Sequence, residues 1–138
     1  MTSQPKKITG GCFCGDVRFE YEPEYLAYRY CFCSRCRKVR GTAHAANIFV
    51  PEAVFSWVQG EEGVKRFDLE GARFGNCFCG RCGSPVPRQA LDGKAYLIPA
   101  GTVDSDPGIA PEGAIFWDSR AEWLPPADGL EKFSEYSK

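Results

Sequence analysis

Short runs of apolar and polar residues, bounded by Gly and Pro, recur along the whole chain. The clearest runs cover residues 16–22, 25–31, 43–50, 53–58 and 94–101. They are rich in aromatic and β-branched side chains, which favour the pleated, half-buried environment of a sheet. Heptads and long internal repeats are absent from the sequence. The pattern therefore predicts a mostly β protein built from short strands.

The helical signal is confined to one short segment. Residues 34–39 predict a single helical turn that ends at Gly41. The 138 residues fall within the usual size of one domain. We expect one domain over residues 1–138, with a core at about 8–124. The Pro- and Gly-containing segment 125–138 is expected to form an extended arm.

Charge and hydropathy exclude several classes of function. The formal net charge is −1 and the isoelectric point is about 5.9, unlike the basic balance of a nucleic-acid-binding protein. The sequence begins with a polar segment and contains no apolar stretch long enough to span a membrane. We therefore expect a cytoplasmic protein without nucleic-acid or membrane partners. In a reducing cytoplasm, its eight cysteines indicate metal or redox chemistry rather than disulfides.

Two cysteine pairs have the spacing of a structural zinc site. Cys12 and Cys14 form a Cys-x-Cys pair, and a strand would point both sulfurs to the same face. Cys79 and Cys82, followed by Gly83, match the tight knuckle of zinc ribbons. Together the four thiolates would complete a tetrahedral Zn²⁺ shell. Such a site would tie the beginning of the chain to a late segment and stabilise the fold.

A separate cysteine triplet lies within residues 31–36. Cys31, Cys33 and Cys36 have no fourth ligand beside them, and three protein ligands with one open position are typical of catalytic zinc. A thiol that binds Zn²⁺ at such a position loses its proton and becomes a nucleophile at neutral pH. Three ligands hold a metal less securely than four, so this site can lose its zinc during purification, and the sequence leaves its occupancy open.

With both clusters placed, the sequence resembles the glutathione-dependent formaldehyde-activating enzymes, a family grouped with the centromere protein V domain. Five motifs carry the resemblance in the same order: GGCFCGDVRFEY, CFCSRCRKVRG, FCGRCGSP, AGTVDSDP and DSRAEW. The resemblance implies a β-sandwich-like zinc fold of short antiparallel strands. It also implies a structural site and an active-site zinc at the two cysteine sets named above, in agreement with the argument from spacing.

The resemblance also implies a reaction. Family members are expected to add the glutathione sulfur to formaldehyde, which gives S-hydroxymethylglutathione, or to cleave such a carbon–sulfur bond. Zn²⁺ would hold the substrate sulfur as a thiolate and orient it toward the electrophilic carbon. We therefore expect a zinc-dependent carbon–sulfur lyase or synthase with a small-molecule thiol as its partner. The sequence leaves the physiological substrate, the reaction direction and the oligomeric state open.

Basic residues and the single histidine lie near the triplet in the sequence. Arg35 and Lys38, with Arg37 and Arg40, are candidates for pairing with the carboxylates of a glutathione-like substrate. The same positive charges could instead compensate the thiolates. His44 is a candidate general acid or base for the hemithioacetal hydroxyl, although a lone histidine in a strand of small residues is more often structural.

Cys77, the eighth cysteine, departs from the family pattern. A buried free thiol is the favoured interpretation, since free cysteine is among the most buried residue types, and a metal role is left open. Two other functions also stay open. A second zinc site closed by Cys77 or His44 would favour an interaction module in which metal only stabilises the fold. A triplet that oxidises readily would favour a thiol redox or zinc-storage protein.

Overall fold

The computed structural model describes residues 6–124 and 129–137 of the chain. Within these residues the protein is mostly β, with ten strands and one short α-helix. The strands are β1 Ile8–Gly11, β2 Arg18–Tyr21, β3 Ala27–Cys31, β4 Ala45–Pro51, β5 Phe55–Gln59, β6 Val64–Asp68, β7 Gly75–Cys79, β8 Arg88–Gln89, β9 Ala95–Pro99 and β10 Ala114–Ile115. The helix, α1, is Ser34–Arg40. Short 3-10 turns cover Glu52–Val54, Glu61–Gly63, Ala100–Thr102 and Trp117–Ser119.

The elements predicted from the residue pattern are present. Each of the five predicted runs overlaps a strand, namely β2, β3, β4, β5 and β9. The predicted helical turn corresponds to α1, and the chain leaves the helix at Gly41, whose φ is 64°. The expectation of a mostly β protein with short strands is thus confirmed.

The strands form three sheets. β1, β2 and β5 make one sheet, and β10, β3, β4, β9 and β8, in that order, make a second. β6 and β7 form a separate hairpin. All pairings are antiparallel, as expected, except that β10 runs parallel to β3. Parallel pairing requires a crossover connection, which here is the long stretch of chain that leaves β9 and returns to the edge of β3.

The main core lies between the three-stranded and five-stranded sheets. Its fully or nearly buried members come from both sheets: Phe19, Tyr21, Tyr28, Ile48, Val50, Phe55 and Ile98. The rings of Phe55 and Tyr96 stack across the interface with their centroids 3.9 Å apart. Burying each large side chain contributes about 1.5–3 kcal/mol. This shared core holds the two sheets against each other.

The other face of the five-stranded sheet points away from this core. Because side chains alternate along a strand, Cys31, Asn47 and Leu97 lie on the face opposite Ile48 and Ile98. Residues of α1, of the β6–β7 connection and of β10 surround this second face. The candidate site is located there.

The C-terminal segment is described only in part. The arm expected at residues 125–138 includes residues 125–128 and 138, which lie outside the described residues. Leu130, Phe133 and Tyr136 in the described part are at least half exposed. In the part of the chain that the structure describes, none of the helices has the length and apolar character needed to cross a membrane.

Candidate metal centres and active-site cavity

Four cysteines from distant parts of the chain form one cluster. The sulfurs of Cys12, Cys14, Cys79 and Cys82 all lie within 4.8 Å of one another. Sγ of Cys14 is 3.6 Å from Sγ of Cys12 and 3.8 Å from Sγ of Cys79. A tetrahedral Zn²⁺ shell with Zn–S bonds of about 2.3 Å has sulfur–sulfur distances of about 3.8 Å, whereas a disulfide requires about 2.05 Å. The cluster therefore has the dimensions of a four-thiolate metal site.

The first cysteine pair is positioned by a turn. Strand geometry was expected to align Cys12 and Cys14, but both lie in the connection between β1 and β2. The Cys12 N–H donates to the Val17 carbonyl at 3.0 Å, and the Val17 N–H lies 3.2 Å from Sγ of Cys12. These two contacts curl the connection around the first sulfur. The two sulfurs thus come together because the chain turns. The sequence argument, which used the alternation of side chains along a strand, gave the wrong reason.

The second pair forms the knuckle that its sequence predicts. Cys79 ends β7, and the Gly83 N–H donates to the Cys79 carbonyl at 2.8 Å. Gly83 has a φ of 79°, in the left-handed region that favours glycine. The Arg81 N–H lies 3.4 Å from Sγ of Cys79. Hydrogen bonding with Ser84, whose hydroxyl is 3.3 Å from Sγ of Cys82, lowers the pKa of Cys82 to about 5. The surroundings of Cys82 thus favour its thiolate form.

The cysteine triplet forms a second, local cluster. Cys31 ends β3, Cys33 is the N-cap of α1, and Cys36 lies in the first turn of the helix. Their three sulfurs also lie within 4.8 Å of one another. The Cys36 N–H donates to Sγ of Cys33 at 3.3 Å, as in an N-cap. The end of one strand and the beginning of one helix are therefore enough to gather this cluster.

The sulfurs of the triplet differ in acidity. Burial raises the pKa of Cys36, and hydrogen bonds with the two neighbouring cysteines raise it further. Burial also disfavours the Cys33 thiolate, yet the Cys36 N–H and the adjacent thiols bring the pKa of Cys33 below its ordinary value. Sulfur donors at these separations, with one already favoured as a thiolate, suit a soft cation such as Zn²⁺. The donor set therefore fits the metal expected from the sequence.

All three cysteines of the triplet line a cavity of about 440 Å³. Apolar side chains make up much of its wall: Val39, Phe49, Phe74, Leu97, Ile115 and Phe116. Four arginines contribute positive charge: Arg35, Arg40, Arg73 and Arg88. A concave, largely apolar space with a few convergent polar groups is the usual form of a small-molecule site. The cavity thus places the triplet where a ligand could reach it.

Asn47 is an unusual member of the cavity wall. Its residue is only 8% exposed, and its side-chain oxygen Oδ1 is buried without a hydrogen-bond partner among the described residues. A buried, unpaired carbonyl oxygen lowers the free energy of unfolding by about 1–3 kcal/mol. Such an atom is a natural acceptor for a donor group on a ligand.

The basic residues near the triplet separate into two groups. Arg35 and Arg40 line the cavity. Lys38 and Arg37 instead line a separate, shallow depression beside Trp123. Arg35 therefore lies on the same cavity as the triplet, and its contact with a substrate stays a prediction. The structure places Lys38 apart from the triplet, and its role stays a prediction.

His44 and Cys77 both lie apart from the triplet. The His44 ring stacks on Tyr30 with centroids 4.2 Å apart, and it lines a different depression from that of the triplet. Cys77 is buried on β7 against Val17 and Val86. Burial raises the pKa of the Cys77 thiol. Within the described residues, both lie outside the two cysteine clusters. Their proposed chemical roles stay predictions.

Three cavity residues that carry a charge or an unpaired polar atom were not identified from the sequence. Arg73 lies on the β6–β7 connection and Arg88 on β8, far along the chain from the triplet. Only the fold brings them to the cavity. Asn47 did carry a local signal, because it is the one amide in the apolar run AANIFV of β4. A polar residue at a buried strand position marks either a hydrogen-bond network or a ligand.

Known proteins resemble this chain over most of its length. The family model described as glutathione-dependent formaldehyde-activating enzyme matches residues 7–119. A Halomonas elongata protein with the provisional name glutathione-dependent formaldehyde-activating enzyme is 28% identical over 127 residues. That match covers 85% of this chain and 79% of the relative. A crystal structure of a Rhodobacter sphaeroides protein shares the fold, with a TM-score of 0.59, 23% identity, and coverage of 77% of this chain and 97% of that one. The predicted resemblance is confirmed, and the chain belongs to the family of glutathione-dependent formaldehyde-activating enzymes.

Proposed function

We propose that this protein forms or cleaves a carbon–sulfur bond between a small thiol and an aldehyde, with glutathione and formaldehyde as the reference pair. In the forward direction the thiol sulfur bonds to the carbonyl carbon. The π electron pair of the carbonyl moves to its oxygen, which receives the thiol proton, so the product is a hydroxymethyl thioether. The family description supports this pair of substrates. The observation that carries the proposal is the cavity of about 440 Å³ lined by all three cysteines of the triplet.

The triplet is the proposed catalytic metal site. Cys31, Cys33 and Cys36 would hold Zn²⁺ through their sulfurs. A bound Zn²⁺ supplies Lewis acidity and lowers the pKa of a thiol that ligates it. The protein's own contribution begins with the Cys36 N–H, whose hydrogen bond to Sγ of Cys33 favours the thiolate form of that ligand.

The remaining cavity residues would bind and orient the substrate. Guanidinium groups such as that of Arg35 pair well with carboxylates, which a glutathione-like thiol carries. The side chains of Phe49 and Leu97 would exclude water from the reacting atoms. Oδ1 of Asn47 would accept a hydrogen bond from a hydroxyl or amide N–H of the bound molecule. Together these contacts would hold the thiol in one orientation.

The four-thiol cluster is the proposed structural metal site. Cys12 and Cys79 are buried in a small apolar cluster with Val17 and Val86. A Zn²⁺ ion held there would join the β1–β2 connection to the end of β7, and its binding free energy would add to that of folding. We also propose a single domain with its core at residues 8–124, and a cytoplasmic location.

The test measures catalysis of the reference reaction. Zinc-loaded protein is mixed with glutathione and ¹³C-formaldehyde, and NMR exchange spectroscopy gives the rate of S-hydroxymethylglutathione formation and breakdown. We expect the protein to accelerate both directions equally, and Cys36→Ser to abolish the acceleration while its circular dichroism stays unchanged. A folded, zinc-loaded protein that accelerates no combination of small thiol and aldehyde would contradict the proposal.

The interaction-module alternative requires a closed second site. A fourth protein ligand at the triplet would occupy the position that substrate needs. Cys77 and His44 were the candidates for this ligand, and in the described part of the chain both lie outside the triplet cluster. Their positions favour the enzyme over the module. The substitutions Cys77→Ser and His44→Ala should therefore leave the zinc content of the triplet unchanged. Metal analysis of the purified variants measures this content.

A further inference from the structure

The charged side chains on the described cavity wall are all positive. Four guanidinium groups line it, and the described lining includes no Asp or Glu. The five ion pairs among the described residues involve none of these four arginines. The cavity therefore presents positive charge that the protein itself does not neutralise through direct pairing.

Two of these arginines, Arg40 and Arg88, are half-buried. Burial lowers the pKa of both guanidiniums, and the nearby charge of Arg66 lowers that of Arg88 further. Arg40 donates to the amide oxygen of Asn76 at 3.1 Å, a neutral acceptor. The carboxylate near Arg88, that of Asp68, already accepts from Nε of Arg66 through both oxygens at 3.0 and 2.8 Å. Partly desolvated cations without a dedicated counter-ion gain most when an anion binds.

The thiolates of the triplet do not account for all of this charge. Three thiolates with one Zn²⁺ would carry a net charge of −1, whereas the four guanidiniums carry +4. A positive excess therefore remains in the cavity when the metal site is filled. A single thiolate substrate would reduce the excess, and further anionic groups on the same molecule would reduce it more.

We propose that the preferred thiol of this cavity carries two or more anionic groups and no ammonium group, an inference that rests on the proposed function. Glutathione itself fits this charge pattern only in part. Its two carboxylates suit the guanidiniums, but its α-ammonium meets no carboxylate on the described cavity wall. A dicarboxylate thiol without an amine offers only anionic groups to the four guanidiniums, and its amide N–H groups remain available to Oδ1 of Asn47. Selectivity against the ammonium is the distinguishing property of this cavity.

The test uses a matched pair of thiols. Glutathione and its deaminated analogue, glutaryl-cysteinylglycine, have the same carboxylates and differ only in the ammonium group. Titration calorimetry with zinc-loaded protein should show the analogue binding about tenfold more tightly, since one lost charge repulsion near partly buried cations is worth a factor of this size. Equal affinities, tighter binding of glutathione, or binding of neither thiol would overturn the inference.

Variants locate the effect in the cavity. Two cavity variants are Arg88→Gln and, at an exposed position of the lining, Arg73→Gln. Each should weaken binding of the analogue several-fold and reduce the ratio of its affinity to that of glutathione. Arg18→Gln is the matched control, because Arg18 lies on β2 and pairs with Asp104 away from the cavity. If the ratio of the two affinities is unchanged in both cavity variants, the inference is overturned.

The inference and the proposed function fail in different ways. If the protein accelerates adduct formation but binds both thiols equally, only the inference fails. If the thiols bind in the predicted order and no aldehyde adduct forms faster than in buffer, the proposed reaction fails while the selectivity of the cavity stands.

Discussion

Replacing Cys82 by Ser tests the structural role of the four-thiol cluster. Cys82 is only half-buried, so the substitution removes a sulfur ligand and leaves most of the apolar packing in place. A metal bound at the cluster closes the chain between residues 12 and 82, a span of 70 positions. The relation between chain entropy and loop length gives about 4 kcal/mol of stabilisation for a cross-link over about 70 residues.

The triplet provides the matched comparison. Cys31 and Cys36 are five positions apart, and a cross-link of that length contributes only about 2 kcal/mol by the same relation. The same chemical change, Cys to Ser, should therefore cost about twice as much free energy of unfolding at Cys82 as at Cys36. The free energy of unfolding of a domain of this size is about 5–15 kcal/mol in total. Cys82→Ser should therefore be close to unfolding at moderate temperature.

The assay combines metal analysis with denaturation. Zinc content per chain is measured for the zinc-loaded wild type, Cys82→Ser and Cys36→Ser, and circular dichroism follows their unfolding by urea and by heat. We expect each variant to lose about one zinc, and the melting temperature of Cys82→Ser to fall by on the order of 10 °C. Retention of both zincs in Cys82→Ser would refute the ligand assignment. A larger loss of stability in Cys36→Ser would show that the triplet, not the four-thiol cluster, holds the fold together.

Three further predictions concern the substrate, the backbone and the cavity. Glutathione binding to zinc-loaded protein should release a proton and tighten as pH rises toward the thiol pKa, whereas the serine analogue should do neither. Calorimetry in buffers of different ionisation enthalpy measures both effects, and equal affinity without proton release would show that the thiol does not reach the metal. Gly60→Ala should destabilise the protein by more than about 2 kcal/mol, because a Cβ there would lie 2.0 Å from the Asp16 carbonyl oxygen. Gly108→Ala, with a similar φ of 75° but nothing within 4 Å of a new Cβ, should cost only about 1 kcal/mol. Urea unfolding measures both losses. If the two variants lose similar free energy of unfolding, the backbone near Gly60 must move to make room for the new Cβ. Asn47→Leu should raise the melting temperature slightly, since it removes an unpaired buried oxygen, while calorimetry shows weaker thiol binding. A clear loss of stability would indicate that Asn47 is hydrogen-bonded in solution.

The sequence predicted the strands whose residues carry a strong local signal. β4 is a nearly continuous apolar run that contains β-branched and aromatic residues, and α1 has a left-handed glycine at its end. The hairpin of β6 and β7 was not predicted. β6 is mostly exposed and contains two basic residues, while β7 is the segment GNCFC, which has little β propensity. β7 is extended because it pairs with β6, and the β propensity of its own residues would not be enough.

The site was predictable where its chemistry is local. The triplet lies on one strand end and one helix start, so spacing alone identifies it. The four-thiol cluster could be inferred because four thiolates satisfy one tetrahedral ion, even though the geometric reason for the first pair was wrong. Arg73 and Arg88 join the cavity only through the packing of the hairpin and β8 against the sheet. No spacing rule connects residues that tertiary structure alone brings together.

The strand β7 physically links the cavity to the four-thiol cluster. Its first residue, Gly75, lines the cavity, and its last residue, Cys79, belongs to the four-thiol cluster, about 13 Å away along an extended strand. The connection at residues 69–74 projects from the anchored hairpin and carries Arg73 to the cavity rim. The length and sequence of this connection can thus change while the cysteines of both clusters stay in place. Substitutions in these six residues would therefore alter the charge and shape of the cavity rim without disturbing either cluster.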